Sequence, residues 1–425
     1  MLDPQRPASS LLHHLESTSD GIVGHFEDYV FGSHFQPIYS LSHMRLVGHE
    51  ALLRARDRQG RPVPPPQVFE ACTDARKLGR CDRTSRLVHM GNYARQGREG
   101  EWLFLNIHPS VFHQLAVIDG PRYLREISAH FGLPTESLVL EVLEAEHDDH
   151  ALFTDAMRIA RDAGMLIAID DFGAGHSNFD RVWRMRPDIV KLDRNLVAHA
   201  ARERRVQRVV SQMVSLLHEC GAMVLMEGIE THDEALLALD CDADMVQGYH
   251  FGRPQAALAP ARHAPEPLRK LYEGLLQQRR VKRVEHRERV GPLLNAIGHA
   301  GVLLSAGRSM EEACGAVLEL PDAEVCYVLD ADGYQLGSNM WAPGHEPEQH
   351  RSFEPMRETA GACWSRRPYF RRALDNPGRA QITRPYRTMH GQHQCITASM
   401  AYRCLVDGQT KVRVVCGDVR WVESA

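Results

Sequence analysis

Two carboxylates, Asp170 and Asp171, stand side by side after the apolar run Leu-Ile-Ala-Ile, and glycines follow at 173 and 175. Adjacent like charges repel, so the pair needs a reason, and a bound cation is one. The pattern recurs along the chain. Glu50 follows Leu-Val-Gly-His, Asn106 follows Leu-Phe-Leu and Glu141 follows Leu-Val-Leu. Lys191 follows Ile-Val, Glu227 follows Val-Leu-Met and Gln247 follows Met-Val. Five carboxylates and two amide oxygens, without histidine or cysteine, suit the hard cations Mg²⁺, Mn²⁺ or Ca²⁺ and argue against zinc. Clustered carboxylates raise one another's pKa unless cations compensate them, and two divalent ions do so best. Paired metals about 3.5–4 Å apart hydrolyse phosphodiesters, activating water on one side and steadying developing charge on the other. Lys191 fits as a cation near the attacking water or a phosphate oxygen. The strand is expected to end at the aspartate pair, with Gly173 turning the chain so that both carboxylates reach the metals.

These residues are useful only if the fold gathers them. Between about residues 30 and 255 lie eight apolar runs: HFQPIYS, LVGHEALL, WLFLNIH, LVLEVLE, MLIAIDD, IVKLD, AMVLMEG and DMVQGYHF. Amphipathic stretches such as ALFTDAMRIARDAG and RRVQRVVSQMVSLLHECG separate several of them, each closed by a glycine that fits a helix C-cap. Alternating strands and helices predict an α/β fold, a (β/α)8-type (TIM-like) barrel, whose strand C-termini converge on one face. Only LSHMR separates the first two runs, too short for a crossover helix, so the first strand should be antiparallel.

A chain of 425 residues exceeds one ordinary core. The expected organisation is an N-terminal helical extension over 1–29, the barrel over 30–263, a linker helix over 264–299 and a smaller α+β domain with an antiparallel sheet over 300–425. In the linker, Leu268, Leu271 and Leu275 fall at helical spacing, and the basic run 279–289 follows. That helix either links the domains or serves as a dimerising or partner-binding face. A formal charge of −5 gives no reason to expect DNA or an anionic membrane as partner. No apolar run approaches the ~18–20 residues that span a bilayer. The N-terminus lacks the pattern of a secretory signal, and ten scattered cysteines contain no CxxC pair. Buried thiols and a cytoplasmic location are the expectation.

In order and spacing, the motifs FQPIYS, GHEALLR, NIHPS, EVLE, DDFGAGHSN, KLD, EGIET and QGYHFGRP resemble the EAL-domain phosphodiesterases that cleave cyclic di-GMP. The resemblance implies hydrolysis to linear pGpG by a homodimer, supported by Mg²⁺ or Mn²⁺ at a two-metal site and inhibited by Ca²⁺. It implies Glu50, Asn106, Glu141 and Asp170 as ligands of one metal, and Asp170, Asp171 and Glu227 as ligands of the second. Lys191 would orient the nucleophilic water. Gln36, Arg54, Asp193 and Gln247 match substrate-contacting positions, while Glu144, Glu230 and Gly173 match positions that support the site and its loop. Two departures stand out: Leu143 replaces the family's usual threonine, and the loop carries His176 and Asn178. The alternative is a catalytically silent cyclic di-GMP receptor or scaffold signalling to protein partners.

The C-terminal segments VCYVLDADGYQLGSN and CWSRRPYFRRAL resemble the PAS-like, Cache-related module of some EAL proteins. That resemblance implies a sensor cavity for an unknown small ligand near Trp364, Arg366, Arg367 and Tyr369. Read without it, the aromatics are equally core and the arginines surface.

Overall fold

The computed structural model describes residues 12–97, 100–114, 120–143, 150–175, 179–260, 265–344, 358–387 and 393–421. They form two compact units, 1–276 and 277–425. In the first, β1 (Leu15–Thr18), β2 (Gly21–Phe26), β3 (Tyr29–Ser40), β4 (Arg45–Arg56) and β5 (Pro62–Val63) pair antiparallel as successive hairpins or edges. Six short strands follow: β6 (Trp102–Ile107), β7 (Leu138–Leu143), β8 (Leu166–Phe172), β9 (Ile189–Leu192), β10 (Met223–Met226) and β11 (Met245–Val246). From β4 through β11 these are parallel neighbours, and β3 closes the ring by pairing antiparallel with both β4 and β11. The eight apolar runs are the eight barrel strands, with the antiparallel first strand in place.

In the described part of the expected N-terminal helical extension, Leu12 is helical and most of the residues that follow are strand. Residues 15–26 form the β1–β2 hairpin, which adds to the barrel sheet through β3. Thr-Ser-Asp-Gly is turn chemistry: Thr18 Oγ1 donates to the Gly21 carbonyl at 2.8 Å, and β-branched Ile22 and Val23 then favour a strand.

The parallel strands are apolar on both faces because helices cover the outside and side chains fill the inside. Ile38, Phe104, Val139, Ala168, Ile189, Leu225 and Met245 form the inner plug, each 2% exposed or less. Strand side chains repeat on one face every second residue. Two positions beyond this plug stand Gln36, Asn106, Glu141, Asp170, Lys191, Glu227 and Gln247, one from each strand or its end. Glu50, the cross-strand partner of Gln36, completes the ring. One layer of apolar packing therefore sets the height of these eight residues.

The helix Glu266–Ser305 occupies the region expected to hold a linker. Leu268, Leu271 and Leu275 are buried in the core of the first unit, and the Tyr272 hydroxyl donates to the Leu41 carbonyl at 2.8 Å. The leucine face read as a candidate interface is thus spent on intramolecular packing.

The second unit is built on the antiparallel order β13 (Met340–Trp341), β12 (Ala323–Leu329), β17 (Gln409–Arg420), β16 (Gln394–Val406), β14 (Gln381–Ile382), with β15 (Tyr386–Arg387) also on β16. One face packs Cys326, Val328 and Val415 with Ile297, Cys314 and Val317 of two helices. The other packs Val325, Tyr327, Val414 and Cys416 with Tyr369, Phe370 and Ala373 of the helix Pro368–Asp375. Burial on both faces explains why β12 is apolar from Val325 to Leu329. All ten cysteines are free thiols, seven of the ten are buried, and Cys363 is exposed. Among the described residues no helix is long and apolar enough to cross a membrane.

Candidate active site

Lys191 is the centre of the site. Its ammonium is 1% exposed, 2.6 Å from Glu141, 2.6 Å from Glu227, 3.0 Å from Asp170 and 3.9 Å from Glu50. Burial works against the charge, but the Asp170, Glu141 and Glu50 carboxylates outweigh it and hold the ammonium above its ordinary range. The proton therefore stays on Lys191, and the group cannot act as a general base near neutrality.

Glu141 meets the opposite situation. Burial, then the charge of Glu50, pushes its carboxyl well above the usual carboxylate range despite the nearby ammonium. Lys191 meets its Oε1 as an ion pair, and among the described residues no aligned hydrogen-bond donor reaches either oxygen. Glu50 is held from both sides: Asn106 Nδ2 donates to Oε1 at 3.0 Å and Gln247 Nε2 to Oε2 at 2.6 Å. The Gln247 carbonyl oxygen is buried without a hydrogen-bond partner among the described residues. Glu50 does not end its strand. β4 pairs with β6 only through Ala51, then continues to Arg56 along β3 because the N-terminal hairpins lengthen that side of the sheet.

The aspartate pair is arranged differently from expectation. β8 does not stop at Asp171; it runs to Phe172, with a bulge in its pairing to β9 between Ile169 and Phe172. Asp171 has a φ of 56°, a left-handed conformation that aspartate tolerates better than most residues. The bulge breaks the two-residue alternation. Asp170, Asp171 and Glu227 consequently present carboxylate oxygens within 4.8 Å of one another. The Asp171 amide also donates to Asp170 Oδ1 at 3.0 Å. Partial burial, then the charges of Asp170 and Asp193, raises the Asp171 carboxyl. Gly173, at φ 99°, turns the chain next, and a Cβ there would meet Leu196 Cδ2 at 2.5 Å.

These residues fit a divalent metal pair. The donor atoms are oxygens, several buried oxygens have no hydrogen-bond partner among the described residues, and four carboxylates surround one ammonium with Asp171 as a fifth beside them. Four negative charges are left over, which two divalent cations balance.

Other expected residues fall nearby with different tasks. Gln36 is buried beside Glu50 and donates to the Gly252 carbonyl at 3.3 Å. Arg54 is half-buried and donates to its neighbour's carbonyl, Leu53 O, at 2.9 Å. Asp193 caps the helix Arg194–Arg202 by accepting from the Asn195 amide at 2.9 Å. Glu230 is exposed, its carboxylate 3.9 Å from Arg194. Leu143 is exposed at the end of β7, opposite Asp170 in register. Glu144, His176 and Asn178 lie outside the described residues.

The EAL domain family model matches residues 25–254, more than half of the chain. The chain belongs to the EAL domain family. This EAL chain is 27% identical over 245 residues to the cyclic di-GMP phosphodiesterase RocR of Pseudomonas aeruginosa, covering 56% of the chain and 61% of RocR. It is 26% identical over 228 residues to the probable cyclic di-GMP phosphodiesterase PdeN of Escherichia coli, covering 52% of the chain and 42% of PdeN. The chain thus spans less than two thirds of these curated relatives. The Bacillus subtilis YkuI protein, which has an EAL domain and was solved with substrate c-di-GMP and calcium, superposes with a TM-score of 0.74. That match covers 100% of both chains at 19% identity and carries the fold of both units.

In the second unit, Trp364, Arg367 and Tyr369 line one cavity, on the sheet face covered by the helix Pro368–Asp375; Arg366 does not line it. Asp418, which sequence reading missed, lines it too. The signal was present in VVCGDV: Asp418 follows Val414 and Cys416 in the inward phase of β17.

Proposed function

We propose that the protein is a divalent-metal-dependent phosphodiesterase that hydrolyses cyclic di-GMP to linear pGpG. It works as a cytoplasmic homodimer under the control of a PAS-like C-terminal sensory unit. One observation carries the catalytic reading: Lys191 is ringed by Glu50, Glu141, Asp170 and Glu227 above the barrel plug, with Asp171 beside them. Membership in the EAL family, the names of RocR and PdeN and the ligands of YkuI support the same substrate.

Glu50, Asn106, Glu141 and Asp170 would hold one Mg²⁺ or Mn²⁺, and Asp170, Asp171 and Glu227 a second. The bound pair supplies an activated water and a screen for negative charge at phosphorus. The protein's own residues do the rest. Lys191 keeps its proton, so it orients the attacking oxygen by donating to it and steadies developing charge without transferring a proton. Asn106 and Gln247 fix both Glu50 oxygens, leaving that carboxylate one orientation. Gln36, Arg54, Asp193 and Gln247 face the dinucleotide, where the Arg54 guanidinium suits a phosphate. Glu230 supports the site, and Glu144 matches the family position that holds the loop after Gly173. Incubating the chain with cyclic di-GMP tests the reading: pGpG forms with Mg²⁺ or Mn²⁺ and is suppressed by Ca²⁺. Intact substrate under every metal would count against it. A silent receptor has no observation in its favour, since no metal-competent oxygen is missing.

A further inference from the structure

The helix Ala75–Ala94 turns two positive charges toward apolar packing on the outer side of the barrel wall. Arg83, Arg86, Leu87 and Met90 follow one another at three- and four-residue spacing and so share one helix face. They line a cavity closed by Tyr123 and Ile127 of the helix Gly120–His130 and by Leu105 and Leu140 of β6 and β7. Leu105 and Leu140 alternate with the inner plug residues Phe104 and Val139, so they face away from the Lys191 ring. Arg83 is 8% exposed, and its Nε has no hydrogen-bond partner among the described residues. Its sequence neighbour Asp82 is already engaged: Oδ2 pairs with Arg86, and Oδ1 accepts from the His108 amide at 2.8 Å. Two buried guanidiniums thus share one carboxylate, and one positive charge is left over.

Burial holds the Arg83 guanidinium below its ordinary range; Tyr123 and Asp82 oppose that shift, and the charge of Arg86 adds to it. A guanidinium nonetheless keeps its proton near neutrality. Burial also keeps the Tyr123 hydroxyl above its ordinary range against the pull of Arg86 and Arg83, so it faces the same space as a neutral donor. A buried charge without a counter-ion is costly, and the cost falls when an anion of matching shape meets its fork. Sulfate or phosphate would satisfy the guanidinium but press its other oxygens against leucine and methionine. An uncharged apolar molecule would fill the space and leave the charge unmet. The empty space, about 370 Å³ with its open mouth included, limits the ligand to a small molecule. We propose that this cavity binds a short aliphatic monocarboxylate, its carboxylate on Arg83 and its chain against Leu105, Leu140 and Met165.

The test involves no hydrolysis, so its outcome is independent of the phosphodiesterase reading. Isothermal titration of the full chain, without metal or cyclic di-GMP, is run with acetate, butyrate and hexanoate. The alcohol 1-butanol serves as the tail alone and sulfate as the charge alone. At least one carboxylate should bind at millimolar concentration or below, and 1-butanol and sulfate at least about tenfold more weakly. Arg83→Met, which keeps most of the stem and loses the charge, should weaken that carboxylate by at least about tenfold. Thermal melts give a second reading. Because the Arg83 charge is uncompensated in the free chain, Arg83→Met should melt no lower than wild type, and the carboxylate should raise the melting point of wild type alone. Binding that survives Arg83→Met, equal binding of 1-butanol or sulfate, or no carboxylate binding at millimolar concentration overturns the proposal. So does an Arg83→Met chain that melts well below wild type, since Arg83 would then have a structural partner.

Discussion

Lys191 Nζ lies 2.6 Å from Glu141 Oε1, and both side chains are 1% exposed or less. In so dry a place an ion pair is kept by its surroundings, since desolvation of two charges rivals their attraction. Here Asp170, Glu227 and Glu50 share the same ammonium, so Lys191 holds together a cluster that would otherwise repel itself.

Replacing Lys191 by methionine leaves the carboxylates uncompensated. Removing one partner of such a buried group costs about 3–5 kcal/mol. The variant should melt well below wild type without metal, recover part of the difference in Mn²⁺, and lose at least about a hundredfold in hydrolysis. Calorimetry with and without Mn²⁺, beside a rate measurement, checks all three.

Asp171 combines a special backbone with a special side chain. Asparagine tolerates a φ of 56° nearly as well, whereas valine does not. Asp171→Asn should therefore fold normally and lose hydrolysis, while Asp171→Val should lose about a further 1–2 kcal/mol of stability. Chemical denaturation of the two variants separates backbone strain from lost charge.

The barrel was legible because eight apolar runs carried both their period and their terminal polar residues. The plug layer explains why a residue two places past each inner apolar side chain reaches the site. The bulge at Asp170–Asp171 was not legible: a strand that ends and a strand that slips look alike in sequence, and pairing with β9 decides between them. The N-terminal hairpin was missed because its first strand has little apolar character of its own and depends on β3 for its partner. Asp418 was passed over because a single acid in a β-like run usually faces solvent, and only the helix on that sheet face buries it.

Asp418 also makes stability depend on pH. Its carboxyl sits at about 7 in the folded chain, against about 3.9 when unfolded. Between those values the folded state holds a proton that the unfolded state does not. The contribution is thus full below about pH 4 and is lost as pH rises through about 7. Melting temperature should fall from pH 5 to pH 8, and less steeply in Asp418→Asn. The difference at pH 8 should be on the order of 3 kcal/mol.

A metal that binds only the folded chain stabilises it by an amount that grows with the logarithm of its concentration over its dissociation constant. Mn²⁺ at a hundred times its dissociation constant should add about 2.7 kcal/mol to wild type, and markedly less to Glu227→Gln, whose carboxylate is one of the three that converge. Chelation with EDTA should reverse the gain. Differential scanning calorimetry reads the effect without any substrate.

The most direct measurement follows cyclic di-GMP and pGpG by chromatography in saturating Mn²⁺, for the wild-type chain and for Asp170→Asn. The account predicts pGpG from wild type and none above background from a folded Asp170→Asn, because Asp170 would serve both metals. Near-normal cleavage by that variant, or intact cyclic di-GMP after incubation with well-folded wild type, would contradict it.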